Sequence, residues 1–215
     1  MTSLNVFEIY PSIQGESTHA GRKCVFIRLA GCNLECAYCD SAEAARGQGA
    51  PMDVPAILGQ VRAHGIGLVE LTGGEPLIQP GAASLIEALC DGGFQTLVET
   101  NGTVDIGRFD RRAMYIVDIK TPGAGAGVGF NENNFAALSR KDEVKFVVTS
   151  REDFLWAEAL ATERGLASKC AVIFSPAQGR VAPVELAGWL LESGLDARLG
   201  LQIHKVIWGP DATGV

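Results

Sequence analysis

Short apolar runs recur along the chain, and after residue 53 helical patterns separate them. The runs are rich in Val, Ile and Leu, as strands buried on both faces of a parallel sheet tend to be. They cover 4–10, 23–31, 68–73, 95–100, 114–120, 143–148, 169–174 and 198–204. The helical patterns cover 53–65, 80–93, 150–165 and 183–194. This alternation predicts consecutive βα units and an α/β fold.

The chain length limits which βα architecture can form. A closed eight-fold barrel typically takes about 250 residues, whereas this chain has 215. The strands also outnumber the helices. We therefore expect an incomplete, trimmed TIM-like (βα) barrel with parallel strands. No linker, internal repeat or low-complexity tract interrupts residues 1–215, so a single domain is predicted.

Composition and charge exclude several classes of protein. No apolar run approaches the roughly 20 residues of a membrane span, and the first residues lack the pattern of a signal peptide. A cytoplasmic protein is therefore expected, with reduced thiols rather than disulfides among its six cysteines. The net charge is −7 and no dense Lys/Arg run occurs, which disfavours nucleic acid and membranes as partners.

The segment GCNLECAYCD (31–40) places Cys32, Cys36 and Cys39 directly after a predicted strand. Loops at this end of the strands form the active sites of βα barrels. A structural zinc site normally needs four ligands, and no matching fourth Cys or His follows. A [4Fe–4S] cluster has four irons, so three thiolates would leave one iron open. Considered alone, the three thiols leave zinc and an iron–sulfur cluster as open alternatives.

The C-x3-C-x2-C spacing resembles the signature of the radical S-adenosylmethionine (SAM) enzymes. The resemblance implies that Cys32, Cys36 and Cys39 bind a [4Fe–4S] cluster. Its open iron would take the amino and carboxylate groups of S-adenosylmethionine. It also implies that Tyr38 lies beside the adenine, and that Cys39 and Asp40 contact this cofactor.

The segment LTGGEPLIQ (71–79) follows the next predicted strand and resembles the GGEP motif of the same superfamily. Two glycines there would let the backbone approach a ligand closely. The resemblance implies that Gly74 and Glu75 hold the methionyl amino group. The alternative is an ordinary strand-to-helix turn in which Pro76 starts the helix.

Polar residues end three further predicted strands, and the resemblance implies that they line the cofactor pocket. Glu99 and Thr100 are further candidates for this pocket. The cofactor candidates are Asn101, Asp118, Lys120, Ser175, Pro176, Ala177 and Gln178. Some relatives have Ser-Pro-Lys where this chain has Asp118, Ile119 and Lys120. The alternatives are an Asn-Gly turn at Asn101 and an exposed strand-end lysine at Lys120.

Three segments distinguish this chain within the superfamily: IYPSIQGES (9–17), VFIRLAGC (25–32) and QIHKVIWGP (202–210). They resemble the 7-carboxy-7-deazaguanine synthase family of the deazapurine (queuosine) pathway. That family has an aromatic residue, a Gln-Gly-Glu segment, an Arg four residues before the first cluster Cys, and a closing strand. The first three features are Tyr10, residues 14–16 and Arg28. The resemblance covers nearly the whole chain.

This resemblance implies conversion of 6-carboxy-5,6,7,8-tetrahydropterin to 7-carboxy-7-deazaguanine with loss of ammonia, by radical rather than acid–base chemistry. An anionic carboxylate favours a guanidinium, so Arg28 would bind it bidentately. The substrate-binding candidates are Ile13, Gln14, Gly15, Arg28, Thr72 and Pro210. The segment 198–215 would close the substrate pocket.

The family also uses Mg²⁺, and its protein ligand matches Ser41, two positions after the last cluster Cys. Relatives often carry Thr there, and a Ser hydroxyl remains a hard oxygen donor suited to Mg²⁺. The alternative is that Ser41 caps a helix or lies in a turn.

The expected partners are the pterin, an electron donor such as flavodoxin or ferredoxin, and a second copy of the chain. An incomplete barrel has exposed sheet edges, which favours a homodimer. The nearest competing hypothesis is an activase of glycyl-radical enzymes, which would need a docking groove for a protein backbone. A zinc-binding structural module and an enzyme acting directly on tRNA are further alternatives.

Overall fold

The structure is a computed structural model that describes residues 3–126, 129–209, 212 and 214. Its strands are β1 (Leu4–Ile13), β2 (Lys23–Leu29), β3 (Ala50–Met52), β4 (Leu68–Gly73), β5 (Gln95–Thr100), β6 (Met114–Asp118), β7 (Glu143–Val148), β8 (Ala171–Pro176) and β9 (Arg198–Leu199). Its helices are α1 (Ala42–Arg46), α2 (Val54–Ala63), α3 (Ala82–Asp91), α4 (Asn134–Ala137), α5 (Arg151–Glu163), α6 (Leu166–Lys169), α7 (Pro183–Glu192) and α8 (Ile203–Trp208). Short 3-10 helices cover Pro76–Ile78, Ile106–Arg108 and Pro122–Ala124.

The nine strands of the described residues form one sheet in the order β3-β1-β2-β4-β5-β6-β7-β8-β9. The pairs from β2 and β4 through to β8 and β9 are parallel. At the other side β1 runs antiparallel to both β2 and β3. The sheet is therefore open, with β3 and β9 at its edges, which confirms the trimmed, TIM-like α/β fold. The antiparallel direction of β1 and the short strand β3 were not predicted, because only parallel strands were expected.

The two faces of the sheet bury different sets of side chains, because successive residues of a strand point to opposite faces. Val25, Leu71 and Val98 belong to the main core, which also contains side chains of α2, α3 and α5. The opposite set forms a separate small cluster of Cys24, Phe26, Leu68, Leu97 and Ile116, joined by Tyr10 and Met114. This second face is called the inner face below.

Polar side chains continue the inner face toward the carboxyl ends of the strands. Arg28, Glu99 and Asp118 each follow an inner-face apolar residue by two positions, and Thr72 follows Leu68 by four, with Glu70 between them. The register pairs Arg28 directly with Thr72 across β2 and β4. The sheet therefore collects charged groups at the strand ends, above an apolar floor.

The four predicted helices are present as α2, α3, α5 and α7, and side chains cap two of them. Ser150 caps α5 by accepting a hydrogen bond from the Asp153 N–H at 3.3 Å. The Asp53 carboxylate caps α2 by accepting from the Ala56 N–H at 2.8 Å. Gly92 follows the last residue of α3. In the described part of the chain, no helix combines the length and apolar character needed to cross a membrane.

The predicted strand over 198–204 is wrong beyond its first two residues. Only Arg198–Leu199 pairs with β8, and the chain then turns into α8. The reason is tertiary contact, since the Ile203 N–H donates to the Gly15 carbonyl at 3.0 Å. Gln202 also donates to the Glu16 carboxylate at 2.6 Å. The family's closing strand is therefore largely a helix here, and it packs against the loop after β1.

Candidate active site

The cluster loop, residues 32–41, leaves the sheet at the carboxyl end of β2. Cys32 and Cys36 are half-buried, whereas Cys39 is exposed. The Cys39 N–H donates to the Cys36 carbonyl at 3.2 Å, which keeps the second and third thiols on one turn. Within the described residues, no group of three His, Cys, Asp or Glu side chains converges as the ligands of a single metal ion would.

The Gly-Gly-Glu segment at the end of β4 is bound directly to the residues that lead from β2 into the cluster loop. The Gly74 N–H donates to the Leu29 carbonyl at 3.1 Å, and the Glu75 N–H donates to the Gly31 carbonyl at 2.9 Å. A Cβ atom on Gly74 would overlap the Gly31 carbonyl oxygen. Glycine is thus required at residue 74 because the protein's own backbone lies so close. From the sequence, this requirement had been attributed to a bound ligand.

The Glu75 carboxylate is fully buried and acts as a brace between neighbouring loops. It accepts hydrogen bonds from the Thr100 hydroxyl at 2.8 Å and from the backbone N–H groups of Leu77 and Asn101 at 2.9 and 2.6 Å. Burial raises the pKa of this carboxyl to about 7 despite these donors. Since three internal donors already bind its two oxygens, its binding of an ammonium group stays a prediction.

Asn101 extends this brace to the cluster loop. Its side-chain amide donates to the Asn33 side chain at 3.0 Å and lies 3.9 Å from the Cys32 sulfur. The predicted cofactor residues Glu75 and Asn101 are therefore in contact with each other, and Asn101 reaches the first thiol.

The predicted cofactor residues on the other side of the cluster loop also lie together. Lys120 pairs with the Asp118 carboxylate at 2.8 Å, and its Nζ lies 5.7 Å from the centre of the Tyr38 ring. The Tyr38 hydroxyl donates to the Val147 carbonyl at 3.3 Å. Burial opposes the charge of Lys120, but Asp118 outweighs it and raises the pKa of the lysine. Asp118 thus serves as the counterion of Lys120.

The last group of predicted cofactor residues lies at the end of β8. Ser175 is buried on the inner face, and Pro176 ends the strand. The Ala177 N–H donates to the Val148 carbonyl at 2.9 Å, which joins this turn to the end of β7. Gln178 is exposed. The turn lies on the same edge of the sheet as the cluster loop.

Arg28 is held by two residues of β1 that the sequence did not assign to the site. Its Nε donates to the Glu8 carboxylate and its Nη2 donates to the Tyr10 hydroxyl, both at 2.8 Å. These two bonds use one edge of the guanidinium and direct its Nη1 end away from β1. The tyrosine ring in turn stacks on Phe26, with ring centres 5.4 Å apart. A planar donor held in this way is suited to binding a carboxylate bidentately.

Gln14 is more deeply engaged in the protein than the sequence suggested. Its side-chain amide donates to the buried Glu70 carboxylate, and its carbonyl oxygen accepts from the Glu16 N–H at 2.9 Å. Burial raises the pKa of Glu70 well above its usual range. Gln14 therefore fixes the shape of the Gln-Gly-Glu loop, and its contact with a ring stays a prediction.

The neighbours of Gln14 lie beside α8. Ile13 ends β1, and Gly15 packs so closely against the His204 ring that a Cβ atom would overlap it. Pro210 lies outside the described residues.

Lys145, on the inner face of β7, is the central cation of the site, and sequence reasoning missed it. Its Nζ pairs with the carboxylates of Glu16 at 2.8 Å, Asp118 at 3.4 Å and Glu99. Burial disfavours its charge, but these carboxylates outweigh burial and hold its pKa well above the usual range. A lysine inside the apolar run EVKFVV was the available signal, because buried lysines are almost always paired.

A set of polar contacts from α8 joins the Gln-Gly-Glu loop to the cluster loop. Gln202 donates to Glu16 at 2.6 Å and to the Asp40 carboxylate at 3.0 Å. Lys205 lies 3.4 Å from the same Asp40 carboxylate and donates to the Gln202 side-chain oxygen at 2.6 Å. These contacts of Gln202 and Lys205 with Glu16 and Asp40 are called the C-terminal latch below.

Ser41 stands at the N-terminal end of α1, but its hydroxyl makes no capping hydrogen bond. Ser41 contributes to the start of α1 through its backbone, because the Ser41 carbonyl accepts a hydrogen bond from the Ala45 N–H at 2.9 Å. The hydroxyl is thus a suitable oxygen donor for a hard cation.

The chain is similar in sequence to known proteins. The profile of the Radical SAM superfamily matches residues 26–122, which include the cluster loop and the Gly-Gly-Glu segment. The chain is 44% identical to the 7-carboxy-7-deazaguanine synthase of Chlorobaculum tepidum, over 99% of this chain and 97% of the relative. It is 42% identical to the protein of the same name from Koribacter versatilis, over 99% of this chain and 100% of the relative.

Solved structures share the fold at lower sequence identity. The crystal structure of QueE from Escherichia coli superposes with a TM-score of 0.73 at 21% identity, covering 94% of this chain and 93% of that chain. Streptococcus suis SuiB bound to its precursor peptide SuiA gives a TM-score of 0.60 at 15% identity, covering 79% of this chain and 46% of that chain. At these identities the likeness concerns the fold alone.

Proposed function

The chain belongs to the 7-carboxy-7-deazaguanine synthase family of radical SAM enzymes, and we propose that it converts 6-carboxy-5,6,7,8-tetrahydropterin to 7-carboxy-7-deazaguanine with loss of ammonia. One observation carries this proposal beyond the family resemblance. The guanidinium of Arg28, preset by Glu8 and Tyr10, lies on the inner face only four residues before the first thiol of the cluster loop. A carboxylate bound there would lie at the same strand end from which the cluster loop, the proposed site of radical chemistry, begins.

Three cysteines of the chain would bind the cluster beside this pocket. Cys32, Cys36 and Cys39 would hold a [4Fe–4S] cluster, and a cluster with bound S-adenosylmethionine supplies one-electron radical chemistry when present. Iron binding would release the protons of these thiols, because the thiolate is the metal ligand. Burial raises the pKa of Cys32 and Cys36, which favours the protonated thiols as long as iron is absent.

The cofactor pocket in this proposal lies between the two polar groups beside the cluster loop. Asn101 and the backbone at Gly74 would bind the methionyl end on one side. Tyr38 and Lys120, which already contact each other, would bind the adenine and ribose side. The turn 175–178 and Asp40 complete the set of residues proposed to surround S-adenosylmethionine.

The substrate pocket in this proposal uses the neighbouring part of the inner face. Arg28 would bind the pterin carboxylate, and Thr72 faces it across the β2–β4 register. The backbone of the loop 13–15 would pair with ring N–H and carbonyl groups. The segment 198–215 would close this pocket and exclude water, which is supported by the C-terminal latch.

We propose Mg²⁺ as a third component, with the Ser41 hydroxyl as its protein ligand. The support is chemical, since this hydroxyl is not used to cap α1 and is a hard oxygen donor. One protein ligand gives weak binding without substrate oxygens, so the ion and the pterin would bind together.

The remaining proposals concern the setting of the enzyme. One radical SAM domain would cover residues 1–215. Three cluster thiols favour the reducing cytoplasm, where a flavodoxin or ferredoxin could deliver the electron. A homodimer is supported by large apolar side chains exposed on α8, next to the edge strand β9.

The decisive experiment is anaerobic reconstitution with iron and sulfide, followed by incubation with S-adenosylmethionine, Mg²⁺, reductant and the carboxypterin. Mass spectrometry should detect 7-carboxy-7-deazaguanine, with no RNA present. Cleavage of S-adenosylmethionine without this product would contradict the proposal. A colourless protein that holds zinc, instead of a brown one with about four irons, would contradict the cluster itself.

A further inference from the structure

Lys145 is a buried cation surrounded by carboxylates from three separate parts of the chain. Glu16 comes from the loop after β1, Glu99 from β5 and Asp118 from β6. Removing one partner of a buried charge pair leaves the other charge unpaired, which is strongly unfavourable. The positions of these carboxylates therefore depend on one another through Lys145.

The partners of Lys145 reach both the proposed substrate side and the proposed cofactor side. On the substrate side, Glu99 accepts a hydrogen bond from the Thr72 hydroxyl at 3.3 Å, and Glu16 belongs to the Gln-Gly-Glu loop. On the cofactor side, Asp118 binds Lys120, which lies against the Tyr38 ring. The Lys145 side chain thus connects the two halves of the pocket, although Lys145 belongs neither to the predicted substrate-binding residues nor to the predicted cofactor residues.

The two sides depend on Lys145 to different degrees. Asp118 also pairs with Lys120, at the shorter distance of 2.8 Å. Among the ion pairs of the described residues, Lys145 is the only cation paired with Glu16 or with Glu99. Loss of the lysine charge would leave two carboxylates to repel each other on the substrate side, while Asp118 keeps a counterion.

We propose that Lys145 is a positioning residue for pterin binding, which fixes the Glu16 and Glu99 carboxylates around the substrate without touching S-adenosylmethionine. This inference rests on the proposed function, because it assigns the substrate side of the pocket to a pterin. It goes further in predicting that loss of this one buried charge weakens the binding of the pterin and leaves the binding of S-adenosylmethionine almost unchanged.

The test measures the binding of both ligands to the anaerobically reconstituted enzyme. The pterin probe is 6-carboxypterin, the fluorescent oxidised form of the substrate, titrated in the presence of S-adenosylmethionine. Calorimetry measures S-adenosylmethionine alone. Lys145→Met keeps an unbranched side chain, one atom shorter, without its charge. We expect pterin binding to weaken about 10-fold or more, while the affinity for S-adenosylmethionine changes by less than about 3-fold.

Lys141→Met is the matched control, because Lys141 pairs with Asp142 just before β7, away from the inner face. It should leave both affinities unchanged. Equal weakening of both ligands by Lys145→Met, or unchanged pterin binding, would overturn the inference. Failure of the unsubstituted enzyme to bind 6-carboxypterin would instead count against the proposed function.

A second variant covers the case in which the unpaired carboxylates prevent folding. Lys145→Met combined with Glu99→Gln removes one of them and should fold. Compared with Glu99→Gln alone, the double variant should bind the pterin at least about 3-fold more weakly, because Glu16 still lacks its cation. Equal affinities of these two variants would overturn the inference as well.

Discussion

At residue 74 the absence of a side chain determines how closely two loops approach. The Gly74 backbone lies against the Gly31 carbonyl, immediately before the first cluster thiol. Any Cβ atom would separate the Gly-Gly-Glu segment from the cluster loop. The Glu75 and Asn101 contacts at that thiol depend on the same approach.

Gly74→Ala should therefore destabilise the protein by about 1–3 kcal/mol, the usual cost of overpacking a close contact. It should also lower the iron retained after reconstitution. Thermal unfolding and iron analysis measure these two effects. Gly59→Ala is the matched control, since Gly59 lies within α2 with open space around its Cβ position. That change should raise stability by up to about 1 kcal/mol, and equal behaviour of the two variants would contradict the argument.

Arg28 illustrates a residue whose geometry matters as much as its charge. A lysine cannot donate to Glu8, to Tyr10 and to a substrate carboxylate in one plane. Arg28→Lys should therefore raise KM for the carboxypterin at least about 10-fold. Steady-state kinetics measure this effect, with Arg22→Lys in the loop before β2 as the control. An unchanged KM in Arg28→Lys would rule out the proposed carboxylate contact.

The site could be predicted where its residues are close in sequence. The spacing of Cys32, Cys36 and Cys39 and the strand before them were enough to place the cluster loop at a strand end. The internal role of Glu75 could not be predicted, because its donors come partly from β5 and the turn after it. Lys145 was missed for the same reason, since its three partners are distant in sequence.

Among the elements, α8 shows how tertiary contacts override local preference. Its sequence, IHKVIW, contains three β-branched residues and favours a strand. The chain nevertheless leaves the sheet after β9, because Gln202 and Ile203 bind the Gln-Gly-Glu loop. Such contacts cannot be derived from periodicity, whereas the ranges of α2 and α5 could be.

The C-terminal latch leads to a prediction at this scale. Gln202→Ala combined with Lys205→Ala removes the contacts with Glu16 and Asp40. The segment after β9 should then be cleaved faster by limited proteolysis, and the KM for the pterin should rise about 3-fold or more, with little change in global stability. Lys169→Ala on α6 is the control. Unchanged proteolysis of the double variant would show that the latch does not hold the segment.

Asp142 ties the start of β7 to β6 and predicts a dependence of stability on pH. Burial alone would raise the pKa of its carboxyl. Hydrogen bonds from Ser139 and the Tyr115 N–H, with the charges of Lys141 and Arg111, hold the pKa below its usual value. A lowered pKa contributes stability above the unfolded value of about 3.9, and that stability is lost as the pH falls through the folded value.

Urea unfolding between about pH 6 and pH 3 tests this contribution. The difference in free energy of unfolding between the unsubstituted protein and Asp142→Asn should be largest near pH 6 and shrink toward pH 3. Asp196→Asn, at an exposed position before β9, is the control and should show no such trend. A difference that is constant with pH would contradict the role assigned to Asp142.

At the scale of the whole molecule, the open sheet explains both the pocket and the exposed edges. The α/β class and the incomplete barrel could be predicted, because strand and helix patterns alternate and the chain is too short to close. The antiparallel β1 could not, since its direction depends on pairing with β2 and β3 rather than on its own sequence. The resulting edge at β9 lies beside α8.

The homodimer proposal is tested at this edge. The consecutive residues Val206, Ile207 and Trp208 on α8 are 80%, 53% and 40% exposed, and a contiguous apolar patch of this kind is typical of a protein–protein contact. A stable dimer typically buries about 800 Å² on each partner. Light scattering after gel filtration should therefore give a dimer for the unsubstituted protein and a monomer for Val206→Asp combined with Ile207→Asp.

Leu155→Asp is the matched control, because Leu155 is an exposed large apolar residue on α5 rather than on α8. This variant should remain a dimer with unchanged stability. A monomeric unsubstituted protein at micromolar concentration would refute the proposal. A dimer that survives both charges on α8 would place the interface elsewhere, because two buried carboxylates facing their copies across a two-fold axis would repel strongly.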